Sequence, residues 1–442
     1  MRFDALAPLF ALADAEPALH ASGMTAQRMV LQLLYLGASV LFILGLKALS
    51  SPKTARRGMN LAALGMLLAV VGTLFHHEIV SFHWIVAGFI VGSLIGGSMA
   101  IWMPMTAMPQ RIALSHAFGA MAAVLVGVAE YIEHMHLFHA GAIAQPFSRG
   151  EMSAMGFEIL FGSLTITGSL MAFAKLQELV PGPPILYKFQ NPTNIALFLG
   201  TFAMFVYLVF FPASAAVFFL MIVLGLAIGV LIVLPIGGAD MPVVISLLNS
   251  YAGLAASATG FVIDNKVLVI AGALDGASGF FLSILMSRAM NRSFANVLFG
   301  AVGAVKAESG PAAEARTVIR YTPEDAALTL ENARSVIVVP GYGMAVAQAQ
   351  HIVQEMAELL IQRGIQVRYA IHPVAGRMPG HMNVLLAEAQ VPYDLLQEMD
   401  HINDDFRNTD VVLVVGANDV VNPAARYKKD SPLYGMPILN AD

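Results

Sequence analysis

Ser335-Val336-Ile337-Val338-Val339-Pro340-Gly341-Tyr342-Gly343-Met344-Ala345-Val346-Ala347 is the stretch that decides the fold. A short apolar, β-branched run leads into a Gly341-x-Gly343 turn with the small residues Ala345 and Ala347 close behind it, and apolar residues at helical spacing follow. A Rossmann-type nucleotide site requires that order. One glycine makes the tight turn, the second lets the backbone approach a pyrophosphate, and the small third residue packs helix on strand. Strands are expected at 335–340, 366–371 and 410–415. A helix is expected at about 344–362, with Ala345, Val346, Ala349, Ile352, Val353, Met356, Leu359 and Leu360 on one face and Gly364 at its end. The alternation defines an α/β doubly wound domain over 335–442.

What precedes it is of another kind. The 442 residues are 57% hydrophobic and 12% charged, with mean hydropathy +0.71, against about 25% charged in ordinary soluble domains. The deficit lies before residue 290, which marks an integral membrane protein. Nine segments reach the length of about 20 apolar residues that a span needs: 29–49, 59–75, 82–103, 111–133, 153–174, 194–211, 213–235, 241–262 and 267–287. Phe189 to Ala239 holds no Asp, Glu, Lys or Arg and makes two spans, with Pro212 at the turn.

The connecting loops alternate in charge. Lys53, Arg56 and Arg57, then Arg111, then Lys175 and Lys188, then Arg288 and Arg292 mark one side. The other side carries His76, His77 and Glu78, then Arg149 with Glu151, then Asp264 with Lys266. The positive-inside rule places the N-terminus outside and the C-terminal domain in the cytoplasm, and an odd span count demands the same. Gly92, Gly96, Gly97, Gly272, Gly276 and Gly279 sit at the spacing of close helix contacts. Residues 1–28 are expected to be an extension rather than a cleaved leader, since Asp4 offsets Arg2. The domain plan is therefore 1–28 extension, 29–290 transmembrane, 291–334 linker and 335–442 nucleotide domain. A net charge of -5 gives no reason to expect a nucleic-acid partner, and the absence of cysteine excludes thiolate chemistry. No metal site is expected.

An NAD site usually carries an acid at the end of the second strand for the ribose 2′-hydroxyl. Here the chain reads Val367-Arg368-Tyr369-Ala370-Ile371-His372-Pro373, with no acid and with Arg368 and Arg377 nearby. The missing carboxylate favours NADP(H).

Longer motifs carry a resemblance. Gly341 to Gln350, Ile371 to Asn383 and Gly416-Ala417-Asn418-Asp419-Val420-Val421-Asn422-Pro423 resemble the NADP-binding domain of proton-translocating nicotinamide nucleotide transhydrogenases, beta subunit type. Gly237 to Val244, Leu248 to Gly253 and Ala289 to Phe294 resemble the membrane half of the same family. The resemblance implies that Gly341, Tyr342, Gly343, Met344, Ala345, Val346 and Ala347 line the pyrophosphate through backbone N–H groups and a helix N-terminus. It implies further nucleotide loops at Val374, Ala375, Gly376, Arg377 and Met378 and at Gly416, Ala417, Asn418, Asp419 and Asn422, and gives His372, Arg377 and Asp419 a part in binding or coupling. It implies an alpha subunit carrying NAD(H), a dimer of alpha-beta units, and the bacterial inner membrane. The family's domain runs past Gly435 to Leu439 into another strand and a basic loop for the 2′-phosphate, so a tail missing after Asp442 is expected.

Ionisable groups inside a membrane are expensive and usually functional. His116 lies in the fourth span and suits proton loading. Asn249 lies in the eighth at a comparable depth, and Asp240 borders that span on the cytoplasmic side. All three are assigned to a proton path; His116 and Asn249 also match the family's proton-channel positions. Glu130, Glu133, His134, His136 and His139 read as a solvated helix end. Asp275, in the ninth span, stands where the family pattern has an apolar residue, and pairing with a polar neighbour is the one role it suggests. The alternative function is a channel or transporter gated by a nucleotide-sensing domain. The Gly341-Tyr342-Gly343 triplet superficially resembles a potassium filter but lacks the preceding Thr-Val and lies outside the membrane half.

Overall fold

The computed structural model describes residues 26–74, 82–103, 107–181, 184–237, 240–289, 294, 320–376, 380–428, 431 and 433–441. Most of the expected extension and linker, together with Arg377 and Met378, lie outside the described residues. Among those described, nine helices are long and apolar enough to cross a membrane, so the chain is membrane-embedded. They are α1 Ala26–Leu49, α2 Pro52–Leu74, α3 His83–Trp102, α4 Met108–His139, α5 Arg149–Leu176, α6 Gln190–Phe210, α7 Ala215–Val233, α8 Met241–Val262 and α9 Lys266–Ala289.

Two boundaries differ from the sequence expectation for the same reason. Helix α2 starts at Pro52, so Lys53, Arg56 and Arg57 ride on its first turns rather than in a loop. Helix α4 runs on to His139, so Glu130, Glu133, His134, His136 and His139 are helical. Hydropathy finds where a helix stops being apolar, but hydrogen bonding continues as long as polar side chains can reach water. Proline at the first turn suits α2, α4 and α8 alike, because that N–H has no helical partner. Helix α5 starts on a capping box, with Ser148 and Glu151 bonding each other's backbone amides.

Helix α5 is the hub of the membrane half, with Met152, Met155, Ile159, Leu160 and Leu164 fully or almost fully buried. Tyr131 stacks on Phe218 and donates to the Pro212 carbonyl at 2.9 Å, which holds the α6–α7 turn where the sequence places it. Lys175, expected as a loop charge, is buried and donates to the Leu234 and Ile236 carbonyls beyond the end of α7. Helices α8 and α9 cross at Gly253, Gly272 and Gly276: a side chain on Gly253 or Gly272 would overlap the facing backbone, and one on Gly276 would meet the Leu254 side chain. Gly92, Gly96 and Gly97 do not pack this way among the described residues: none of these lies within 4 Å of where their Cβ atoms would be, and none of α3 is buried by them.

The C-terminal part is a four-stranded parallel sheet: β1 Ser335–Pro340, β2 Gln366–Ile371, β3 Leu396–Glu398 and β4 Val411–Val415, in the order β3-β2-β1-β4. Val336 and Val338 enter one core and Ile337 and Val339 the other. Both faces of β1 are therefore covered, as a continuous apolar run requires. The expected helix over 344–362 is broken. Tyr342–Val346 and Gln350–Gln362 are separate helices, and Gln348 between them takes φ +51°. The expected apolar face is split as well. Val353 and Leu360 are buried, whereas Val346, Ile352 and Leu359 are exposed. Gly364, at φ +82°, ends the second helix as expected.

Candidate functional site

Sheet order reverses between β2 and β4 on either side of β1, and in doubly wound sheets ligands bind beyond the carboxyl ends of the strands at such a switch point. The loops that leave that edge are Gly341–Ala347 after β1, His372–Gly376 after β2 and Gly416–Asn422 after β4. They contain every described residue assigned above to the nucleotide.

The glycines act here differently from the expectation. Gly341 donates to Val415 O at 2.9 Å and Gly343 to Gly416 O at 2.8 Å, so the β1 and β4 loops are laced backbone to backbone. A Cβ on Gly343 would lie 2.8 Å from Gly416 Cα, and one on Gly341 would collide with Ala417. Gly416 itself takes φ +66°, a region that favours glycine. Met344 donates to Gly341 O at 3.1 Å. These amides organise the turn and leave an exposed rim: Gly343, Val346 and Ala347 on one loop, Asn418 and Asp419 on the other. The small residue that packs helix on strand is Ala345, fully buried, rather than Ala347.

His372 does not face that rim. It is buried, accepts from the Val374 amide at Nδ1 (3.2 Å) and so donates from Nε2 to Pro437 O (2.8 Å). It ties the β2 loop to the segment around Pro437, and burial pushes its pKa below 6.5 against the pull of the Pro437 carbonyl. The unfolded chain takes up a proton near 6.5, so between 6.5 and the lowered value it binds more protons than the folded one. The stability held by neutral His372 is therefore complete above pH 6.5 and declines as pH falls below it. Amide exchange of 372–376 in the full-length protein should speed up between pH 7.5 and 5.5, after correction for intrinsic rates. His372→Ala, which strands both partners, should weaken the loop's protection by about 3 kcal/mol. A flat corrected profile would remove His372 from this role.

Arg368, read from sequence as a base near the 2′-phosphate, is paired with Asp405. Gly376, at φ +104°, makes room for His381, which is fully buried and lies 6.2 Å from the Tyr342 ring. Nothing in the sequence singled out His381, although its place after Gly380 at a helix start was visible.

In the membrane half, the His116 side chain on α4 comes within interaction range of the Asn249 side chain on α8. Its Nδ1 is buried with no partner among the described residues, which leaves Nε2 for Asn249. Gly279 on α9 clears the space beside that amide: a Cβ there would stand 2.7 Å from Asn249 Nδ2. Asn249 in turn donates to Asp275 Oδ1 at 3.3 Å, so Asp275 has the polar partner the sequence suggested. Asp240 immediately precedes α8. At 1.5 Å per residue, the nine residues to Asn249 span roughly 13 Å. Sequence reading missed Glu158. This carboxylate on α5 is fully buried, packed on Gly127, whose Cβ would lie 2.9 Å from its Oε1. A single acid within an apolar span was the available signal.

A helical membrane half followed by a Rossmann-like domain defines a membrane protein that works with a dinucleotide-type fold. The profile of the NAD(P) transhydrogenase beta subunit family matches residues 31–442. The chain is 48% identical over 413 residues to a protein of Rhodospirillum rubrum named NAD(P) transhydrogenase subunit beta, covering 92% of this chain and 88% of the relative. The protein of that name from a designated strain of the same species matches to the same extent. This chain belongs to the NAD(P) transhydrogenase beta subunit family.

Proposed function

We propose that this chain is the proton-conducting, NADP(H)-holding subunit of a proton-translocating transhydrogenase. The nucleotide pair supplies hydride transfer, directly between NAD(H) on an alpha subunit and NADP(H) on this one. The single observation that carries the reading is the pairing, in one chain of this family, of a three-loop sheet edge with a His–Asn contact inside the membrane.

The residues divide the work. The rims of Gly341–Ala347 and Gly416–Asn422 hold the dinucleotide, with Val374, Ala375, Gly376, Arg377 and Met378 as the third wall. His372 keeps that wall in place from behind. Asp419, exposed beside Asn418, senses the nucleotide and passes its state on. His116 and Asn249 hold the translocated proton, and Asp240 receives it on the cytoplasmic side. The division 29–290, 291–334 and 335–442 follows, with the N-terminus outside, the nucleotide domain in the cytoplasm of a bacterium, and two alpha-beta units per complex. A proton crossing the membrane releases roughly 2.3 kcal/mol per 100 mV, enough to bias a nearly isoenergetic hydride exchange.

The family does not favour a nucleotide-gated channel. Vesicles holding this chain and its alpha subunit should reduce an NAD analogue with NADPH and move protons in step. Ion flux without hydride transfer would install the channel reading instead.

A further inference from the structure

Asp275 places a carboxylate in the interior of α9, nine residues from its start at Lys266, and that side chain is exposed on the surface of this chain. An acid at such a depth is strongly disfavoured against lipid, so it faces a polar path or a covering protein. Its described side-chain partner is Asn249 Nδ2. That bond uses one end of the Asn249 amide. The other end, the carbonyl oxygen, is then the end left for His116, whose Nε2 is the ring nitrogen available to donate.

We propose that Asp275 is a positioning residue of the proton path, which locks the Asn249 amide so that its oxygen faces His116. The three groups lie on α4, α8 and α9 in turn, with α8 in the middle, so the line His116–Asn249–Asp275 crosses three helices. An asparagine flips its amide at little cost when neither end is held, and a flipped Asn249 would offer His116 a second donor instead of an acceptor. The Asp275 carboxylate is acceptor-only when ionised and so admits one orientation. Gly279, one helical turn beyond Asp275 on α9, leaves room for the same Nδ2 end of the amide to reach the carboxylate.

This inference rests on the proton-path reading, and the test separates the two. The alpha-beta complex is reconstituted in vesicles, and NADPH-driven reduction of an NAD analogue is followed together with proton uptake. Asp275→Val should slow both at least tenfold, the size of effect expected when a partner that orients a working side chain is lost. Asp275→Asn, whose amide oxygen can accept the same bond, should restore activity to within about threefold of wild type. A merely structural role predicts no such rescue. Asp275→Val in an Asn249→Ala background should do no further harm, since the group it orients is gone.

Wild-type rates for Asp275→Val, with His116→Ala inactive, would overturn the inference and leave the proton path standing. Failure of Asp275→Asn to rescue would also overturn it, by showing that charge and not orientation matters. Wild-type pumping by His116→Ala would instead sink the proton-path reading itself. If Asp275→Val does not assemble, the smaller Asp275→Ala takes its place, and assembly is checked by gel filtration and NADP(H) calorimetry.

Discussion

Gly343→Val should lower NADP(H) affinity at least about 100-fold while the protein still inserts and assembles. The Cβ would lie 2.8 Å from Gly416 Cα and 3.1 Å from Gly416 O, both backbone atoms that cannot rotate away. Gly416 is itself held at φ +66° and packs on Met344 and Gly343 in return. Relief therefore requires the β1 and β4 loops to separate, which breaks the Gly343–Gly416 bond. Overpacking of this kind costs about 1–3 kcal/mol before the ligand is considered, and each tenfold in affinity is about 1.4 kcal/mol. The rim residues Asn418 and Asp419 then no longer oppose Val346 and Ala347. Membrane insertion should not change, because every span precedes β1 in the chain. Calorimetry with NADP(H) on the purified variant reads the outcome. Unchanged affinity would show that the laced loops do not form the nucleotide site.

Strands β1 and β2 were legible in the sequence to the residue: β1 because Val336 to Val339 is an uninterrupted β-branched run bounded by turn residues, β2 because Val367, Tyr369 and Ile371 alternate between the Gly364 stop and Pro373. Strand β3 was not: Leu396–Glu398 is three residues long, with one apolar side chain, and exists only because β2 offers it an edge. The helix break at Gln348 was hidden for a related reason. A positive φ is usually announced by glycine or asparagine, and here a glutamine adopts it under tertiary constraint. Span count and the Pro212 turn could be read from hydropathy, which is a local property. The pairing of Asn249 with Asp275 could not, since it depends on α8 and α9 approaching through Gly253, Gly272 and Gly276. The same holds for Arg368. Its place near the missing acid of the second strand suggested a base close to the 2′-phosphate, and only the fold shows Asp405 beside it.

His116→Ala should abolish proton-coupled hydride transfer, by about 100-fold or more, while leaving assembly and NADP(H) binding intact. General acid–base groups contribute about 10²–10⁴-fold, and His116 is the titratable side chain in contact with Asn249 from α4. Truncation removes the imidazole and leaves Asn249 bonded to Asp275, so the path loses its only histidine among the described residues in contact with Asn249. The neighbours argue that packing survives. His116 is half-buried, and the flanking Ala113 and Ala117, which face the core, are unchanged. The measurement is proton uptake and NAD-analogue reduction in the same vesicles, with NADP(H) affinity as the control. If both rates stayed at wild type, the proton would have to cross elsewhere. Glu158 on α5, buried against Gly127 of α4, would then be the side chain to change next.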